Sequence, residues 1–121
     1  MDIVGQKKAL RTEMHLQRAV VDASFKSEYD AWICKQLAVL IAARNCKVVH
    51  AYLPMGAEID IKPLIAQLLA NDLTVVVPKT LKKRQLEHLV FESFDKLEAG
   101  VYGTSHPKDG IVFTGNIDLI I

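Results

Sequence analysis

Tyr52-Leu53-Pro54-Met55-Gly56-Ala57-Glu58-Ile59-Asp60 is the stretch whose reading decides the fold. Before it, Lys47-Val48-Val49-His50-Ala51-Tyr52 is an apolar run with the character of a strand. After it, Ile61 to Leu69 carries a helical pattern. Pro54 stops the strand, Gly56 permits a turn, and acidic residues stand just before the helix start. In an α/β sheet such a loop lies at the carboxyl edge of a strand, which is where these folds bind ligands. Glu58 is therefore the first residue expected to touch a substrate.

Working outward, the alternation continues downstream. Asp60 is expected to cap the helix, which runs to about Asn71, and Pro63 is tolerated in its first turn, where no intrahelical donor is lost. Thr74-Val75-Val76-Val77-Pro78 is apolar without alternation, as a strand covered on both faces should be. Lys79 to Arg84 is a polar loop, and Leu86 to Phe94 reads as a weaker strand or hairpin arm. Gly100, Gly103, Pro107 and Gly110 make the region from about Lys96 to Gly115 loop-rich, before a third strand signal at Ile117-Asp118-Leu119-Ile120-Ile121.

Upstream, Val4 to about Val21 is helical in period, with Leu10, Met14, Gln17 and Val21 on one side and Lys7, Lys8, Arg11 and Arg18 elsewhere. Ser24 is positioned to cap a second helix. Tyr29, Trp32, Ile33, Leu37, Leu40 and Ile41 give that helix a wide apolar stripe that must pack on something. Asn45 would close it with a left-handed residue.

The chain of 121 residues is long enough for one domain with a real core. Half of it is hydrophobic and 24% is charged, the balance of a globular protein. Fifteen basic against fourteen acidic residues leave a net charge of +1, which calls for neither nucleic acid nor an anionic membrane as partner. No apolar run approaches the roughly 20 residues a membrane span needs. No secretory leader pattern opens the sequence. Cys34 and Cys46 fit neither a disulfide framework nor a zinc pattern and read as free thiols in a reducing cytosol. A buried strand ending at Ile121, with no helix after it, leaves a sheet face and a ligand-binding edge bare, so the sequence is expected to be incomplete.

Several residues could carry chemistry. Glu58 can accept two donors from a heterocycle or hold an amine, although an acid at a helix entry also suits the N-terminal dipole. Lys7 and Arg11, four apart, share a helical face and could clamp a polyphosphate; the competing reading is a solvated basic face. Lys79, Lys82, Lys83 and Arg84 admit a phosphate or glutamate-tail reading, or only a solvated loop. His88 and His106 lack a catalytic partner at a recognisable spacing, and His50 reads as a core histidine. There is no GxGxxG, Walker loop, nucleophile elbow or HExxH. The residues alone reach as far as an α/β enzyme-like domain binding something anionic.

Taken together, Lys7-Lys8-Ala9-Leu10-Arg11, the Tyr52–Asp60 stretch, Val77-Pro78-Lys79, Gly100-Val101-Tyr102-Gly103 before His106-Pro107, and Asp118-Leu119-Ile120-Ile121 form an ordered set. The set resembles the 5-formyltetrahydrofolate cyclo-ligase, or methenyltetrahydrofolate synthetase, family, from Lys7 to the last residue. The resemblance implies a three-layer α/β/α fold with a mainly parallel sheet, like that of sugar-phosphate isomerases and CoA-transferases. It implies ATP as co-substrate, Mg2+ as cofactor, and conversion of 5-formyltetrahydrofolate to 5,10-methenyltetrahydrofolate with release of ADP and phosphate. In that chemistry the formyl oxygen attacks the γ-phosphate and the N10 nitrogen closes the ring, expelling phosphate. By position, Lys7 and Arg11 match ATP-binding residues, while Leu53 and Glu58 match folate-contacting ones; no residue here matches a metal ligand. The partners implied are these small molecules, and the protein is expected to be a cytoplasmic monomer.

The resemblance also implies a glycine- and arginine-rich segment after the strand at Ile117–Ile121, bearing the phosphate cradle and metal ligation. Residues 1–121 are thus expected to be one truncated domain, inactive alone. His106 stands where many relatives carry an acid before the proline. Two rivals remain at this point: a non-catalytic nucleotide- or RNA-binding domain of the same fold, and another α/β enzyme bound to a sugar phosphate or CoA ester.

Overall fold

The fold is organised around β1, Val48–His50, a strand only three residues long with a partner on each side. The computed structural model describes residues 2–121. Upstream lie two helices, α1 (Ile3–Ala19) and α2 (Ala23–Ala43); downstream come α3 (Lys62–Ala70), β2 (Thr74–Thr80) and β3 (Leu86–Phe91). Two short strands follow, β4 (Leu97–Ala99) and β5 (Ser105–Pro107), and then β6 (Leu119–Ile120). The main sheet has the order β3-β2-β1-β6, and β4 and β5 form a separate hairpin. β1 runs parallel to both β2 and β6, and only β3 is antiparallel, so the α/β class and mainly parallel sheet expected from the sequence are what the protein has.

Alternate residues of the strands point to opposite faces. Val49, Ala51, Val75, Val77 and Phe91 share one core with Ile41 of α2 and Leu64, Ile65 and Leu68 of α3. Val76, between two members of that core, is equally inaccessible to solvent, so β2 is covered on both faces, as its unbroken apolar run implies. β2 runs on through Pro78 to Thr80 instead of ending there. The Val76 carbonyl points toward β1, where it accepts from the Ala51 N–H at 2.8 Å. With a period of two, the missing donor of Pro78 falls on that same side, beyond the end of β1, and costs the ladder nothing.

Helix ends follow local chemistry, with two shifts from expectation. Asp22 caps α2, its carboxylate accepting from the Ser24 and Phe25 N–H groups at 2.9 and 3.2 Å, so Ser24 lies inside the helix. These donors lower the Asp22 pKa, that of Phe25 most. At α3 the cap position is Ile61, one residue later than expected; Asp60 still accepts from the Lys62 N–H at 3.0 Å. The close of α2 at Asn45 is as expected: its φ is 52°, with Cys46 N–H donating to Ile41 O and Asn45 N–H to Ala42 O, a Schellman pair of bonds.

α1 has no buried residue, and the Leu10 and Met14 side of the helix is exposed. Two other expectations change. The stretch from Lys96 to Gly115 contains the β4–β5 hairpin, in which Glu98 faces His106 across the register at 2.8 Å. A Cβ on Gly100 would stand 2.8 Å from His106 Nδ1, so the hairpin requires glycine there. His50 is half-buried, and its Nε2 lies 3.0 Å from His88 Nδ1; burial, and secondarily His88, pushes its pKa down.

Asp118 ties β6 to the start of β1. Its carboxylate accepts from the Lys47 and Val48 N–H groups at 2.8 and 2.9 Å, and its own N–H donates to Val48 O. The Lys47 donor first, then that of Val48, holds the carboxyl below its ordinary pKa. A depressed folded pKa means stability present above the unfolded pKa and lost as pH falls through the folded one. Asp118→Ala should therefore melt below wild type at neutral pH, with the gap closing in strong acid; a gap independent of pH would contradict the role of the ionised carboxylate.

Candidate functional site

The chain leaves the sheet at Tyr52, and the loop that follows is fixed by its own polar groups. Tyr52 Oη donates to Ile59 O at 2.8 Å, closing the loop at its base. Met55 N–H donates to Glu58 Oε1 at 2.7 Å while Glu58 N–H donates to Met55 O at 3.1 Å. This reciprocal pair needs a tight turn, and Gly56 supplies it at φ +54°. Glu58 is thus held by backbone and side chain together, and its second carboxylate oxygen has no hydrogen-bond partner among the described residues. Burial raises the Tyr52 pKa, with Glu58 adding to the effect, so the phenol stays a neutral donor.

Two cavities open beside this loop. The larger, about 830 Å³, lies between α2 and the start of α3 and is lined by Asp30, Cys34, Lys35, Glu58 and Lys62 among others. The smaller, about 380 Å³, lies at the elbow between α1 and α2, against Arg18, Phe25, Tyr29, Tyr52 and Glu58. Lys26 and Glu58 line both, so this pair forms the wall the cavities have in common. Lys26 is fixed there by an ion pair with the buried Asp30, Nζ to Oδ2 2.6 Å. Asp30 Oδ1 is also buried and has no protein partner, which leaves an acceptor in the wall of the larger cavity.

Chemically these cavities offer no evident nucleophile. Cys34 Sγ donates to Asp60 O at 3.4 Å, and burial raises its pKa, which disfavours the thiolate. Cys34 and Cys46 are both free thiols. Among the described residues no three His, Cys, Asp or Glu side chains converge as a metal site. No described helix is long and apolar enough to cross a membrane.

Of the residues singled out from sequence, Glu58 stands at the junction of both cavities. Leu53, half-buried, packs against the core beneath the loop. Lys7 and Arg11 lie on exposed α1 and line neither cavity. Arg18 does, seven residues beyond Arg11 and so on the same helical face, about 10 Å further along the axis. Sequence reasoning passed over Arg18, Lys26, Tyr29 and Asp30. The i, i+4 spacing of Lys26 and Asp30 was the available signal for one pair.

Comparison with known proteins identifies the family. The sequence model of the 5-formyltetrahydrofolate cyclo-ligase family matches residues 3–121. The 5,10-methenyltetrahydrofolate synthetase of Aquifex aeolicus superposes with a TM-score of 0.76 at 21% identity, over 94% of this chain and 58% of that one. The 5,10-methenyltetrahydrofolate synthetase of Mycoplasma pneumoniae superposes at 0.61 with 20% identity, over 80% of this chain and 72% of that one. At these identities the likeness is one of fold. This chain spans 58% of the length of the Aquifex protein. No curated protein sequence gives a significant match.

The Met55–Glu58 bond yields a direct check. Glu58→Ala should abolish hydrogen-exchange protection of the Met55 amide, and Glu58→Gln, which keeps an acceptor, should retain it. Equal protection in all three proteins would show that the side chain does not organise the loop.

Proposed function

The chain belongs to the 5-formyltetrahydrofolate cyclo-ligase family, and from that premise we propose that it serves the ATP-dependent conversion of 5-formyltetrahydrofolate to 5,10-methenyltetrahydrofolate, with release of ADP and phosphate. The observation that carries this reading is the placement of Glu58: a carboxylate pinned on one oxygen by the Met55 N–H, with the other oxygen free, where two cavities meet. A pterin presents an amino group and a ring N–H on one edge, which is the donor pattern a carboxylate accepts. Leu53 is the apolar wall beside it, its position set by the core below.

Lys7 and Arg11 are the groups assigned to the ATP phosphates, Arg as a fork and Lys as a point charge. ATP, when bound, supplies the phosphoryl group whose release makes closure of the ring favourable. The protein's part in such a transfer is positioning and charge neutralisation, which needs no covalent nucleophile. The described residues offer no cluster of ligands for Mg2+. The free thiols accord with a cytoplasmic enzyme, and the reading takes it as a monomer acting on small molecules, without nucleic acid or membrane.

Steady-state kinetics of the intact enzyme test the division of labour. Charge reversal, Glu58→Lys, should raise the KM for 5-formyltetrahydrofolate at least about tenfold, equivalent to roughly 1.4 kcal/mol, with little change in the KM for ATP. Arg11→Ala should do the opposite. Equal loss of both substrates, or of neither, in the Glu58 variant would overturn its role; an unchanged KM for ATP would return Arg11 to a solvated face.

A further inference from the structure

The elbow between α1 and α2 carries an aromatic row that the core does not use. Phe25 and Tyr29, one turn apart, have ring centroids 6.2 Å apart and planes 17° from parallel, and Trp32 continues the row with its centroid 5.9 Å from Tyr29. These rings are 61%, 44% and 54% exposed. The core contacts of α2 are made instead by Cys34, Leu37, Ala38 and Ile41. An exposed aromatic patch beside a cavity marks a binding surface.

Phe25 and Tyr29 line the smaller cavity together with Tyr52, giving it apolar, ring-bearing walls. At about 380 Å³ it falls within the size range of small-molecule sites. Three charged side chains come to the same lining from separate elements: Glu58 from the loop after β1, Arg18 from the last turn of α1, and Lys26 of α2, which Asp30 already pairs. Among the described residues Arg18 makes no ion pair. Flat ring-bearing walls, an acceptor for an amino edge and an unpaired guanidinium describe one class of ligand: a flat aminoheterocycle with an acidic tail.

Resting on the reading of Glu58 as folate anchor, we propose that Phe25, Tyr29 and Arg18 complete the substrate site and set its specificity. The rings of Phe25 and Tyr29 stack on the pyrimidine ring whose amino edge meets Glu58. The Arg18 guanidinium takes a carboxylate of the glutamate tail and so distinguishes tailed folates from bare pterins. Because Arg18 shares a face with Lys7 and Arg11, one cationic row would serve phosphate at its start and carboxylate at its end.

The test is calorimetric binding of two probes to the intact protein: 5-formyltetrahydrofolate and the tail-less 5-formyl-6-methyltetrahydropterin. Trp32, the single tryptophan, gives an independent fluorescence readout of occupancy. Arg18→Ala should weaken the tailed probe about tenfold and leave the tail-less one unchanged, as loss of one charge-assisted contact would. Tyr29→Ala should weaken both probes, and Tyr29→Phe, which keeps the ring, neither. Equal effects of Arg18→Ala on both probes, or none on either, would overturn the tail contact. Unchanged binding in Tyr29→Ala would overturn the stacking. If Glu58→Lys weakens both probes while the Arg18 and Tyr29 variants bind normally, only this proposal fails. If wild type binds neither probe, the folate reading itself fails.

Discussion

Everything at the site depends on how short β1 is. Its three residues are paired on both edges, to β2 by Val48, Val49 and His50 and to β6 by Val49 and His50. Val49 is fully buried between them, so neither neighbour can slide without moving an apolar side chain to the wrong face. The last bond of the ladder, Ala51 N–H to Val76 O, fixes the point at which the chain turns out of the sheet. From there Tyr52, Gly56 and the Met55–Glu58 pair carry the carboxylate to its position with little freedom left. A ligand group on a loop needs such a rigid base to be specific.

The charges nearby are managed by pairing. Asp30 is buried, and Lys26 offsets its desolvation at 2.6 Å, in a pair whose loss on one side would leave an uncompensated charge costing about 3–5 kcal/mol. The same bond holds the Lys26 side chain between the two cavities. Tyr52 and Cys34 are kept in their neutral forms by burial, so neither adds a further anion beside Glu58.

What could be read from the sequence was whatever a short window determines. Val75-Val76-Val77 has no solvent face to alternate with, and Pro54 and Gly56 punctuate the loop after β1, so β1, α3, β2 and the loop that carries Glu58 were all legible. Asn45 was legible as a helix close because a left-handed non-glycine residue is so often Asn. The β4–β5 hairpin was not: its strands are three residues long, and their turn, with Tyr102 at φ 56° and Gly103 at φ 73°, resembles loop composition. The caps moved because Asp22 and Ser24, or Asp60 and Ile61, compete within two residues, and only the folded backbone decides. Tyr29 and Trp32 looked like core residues by helical spacing; their exposure depends on where the loop after β1 lies against α2, which no window contains. Arg18 was one cation among several on α1 until the elbow brought it to Glu58's cavity.

The central claim is that the loop after β1, with Glu58 at its tip, receives the folate. The most direct measurement is amide chemical-shift mapping of the intact protein titrated with 5-formyltetrahydrofolate. The account predicts that the largest, saturating shifts fall on Met55, Gly56 and Glu58 and on the facing turns of α2. Saturating shifts confined to the β4–β5 hairpin or the His50–His88 face of the sheet, with residues 52–60 unmoved, would contradict it.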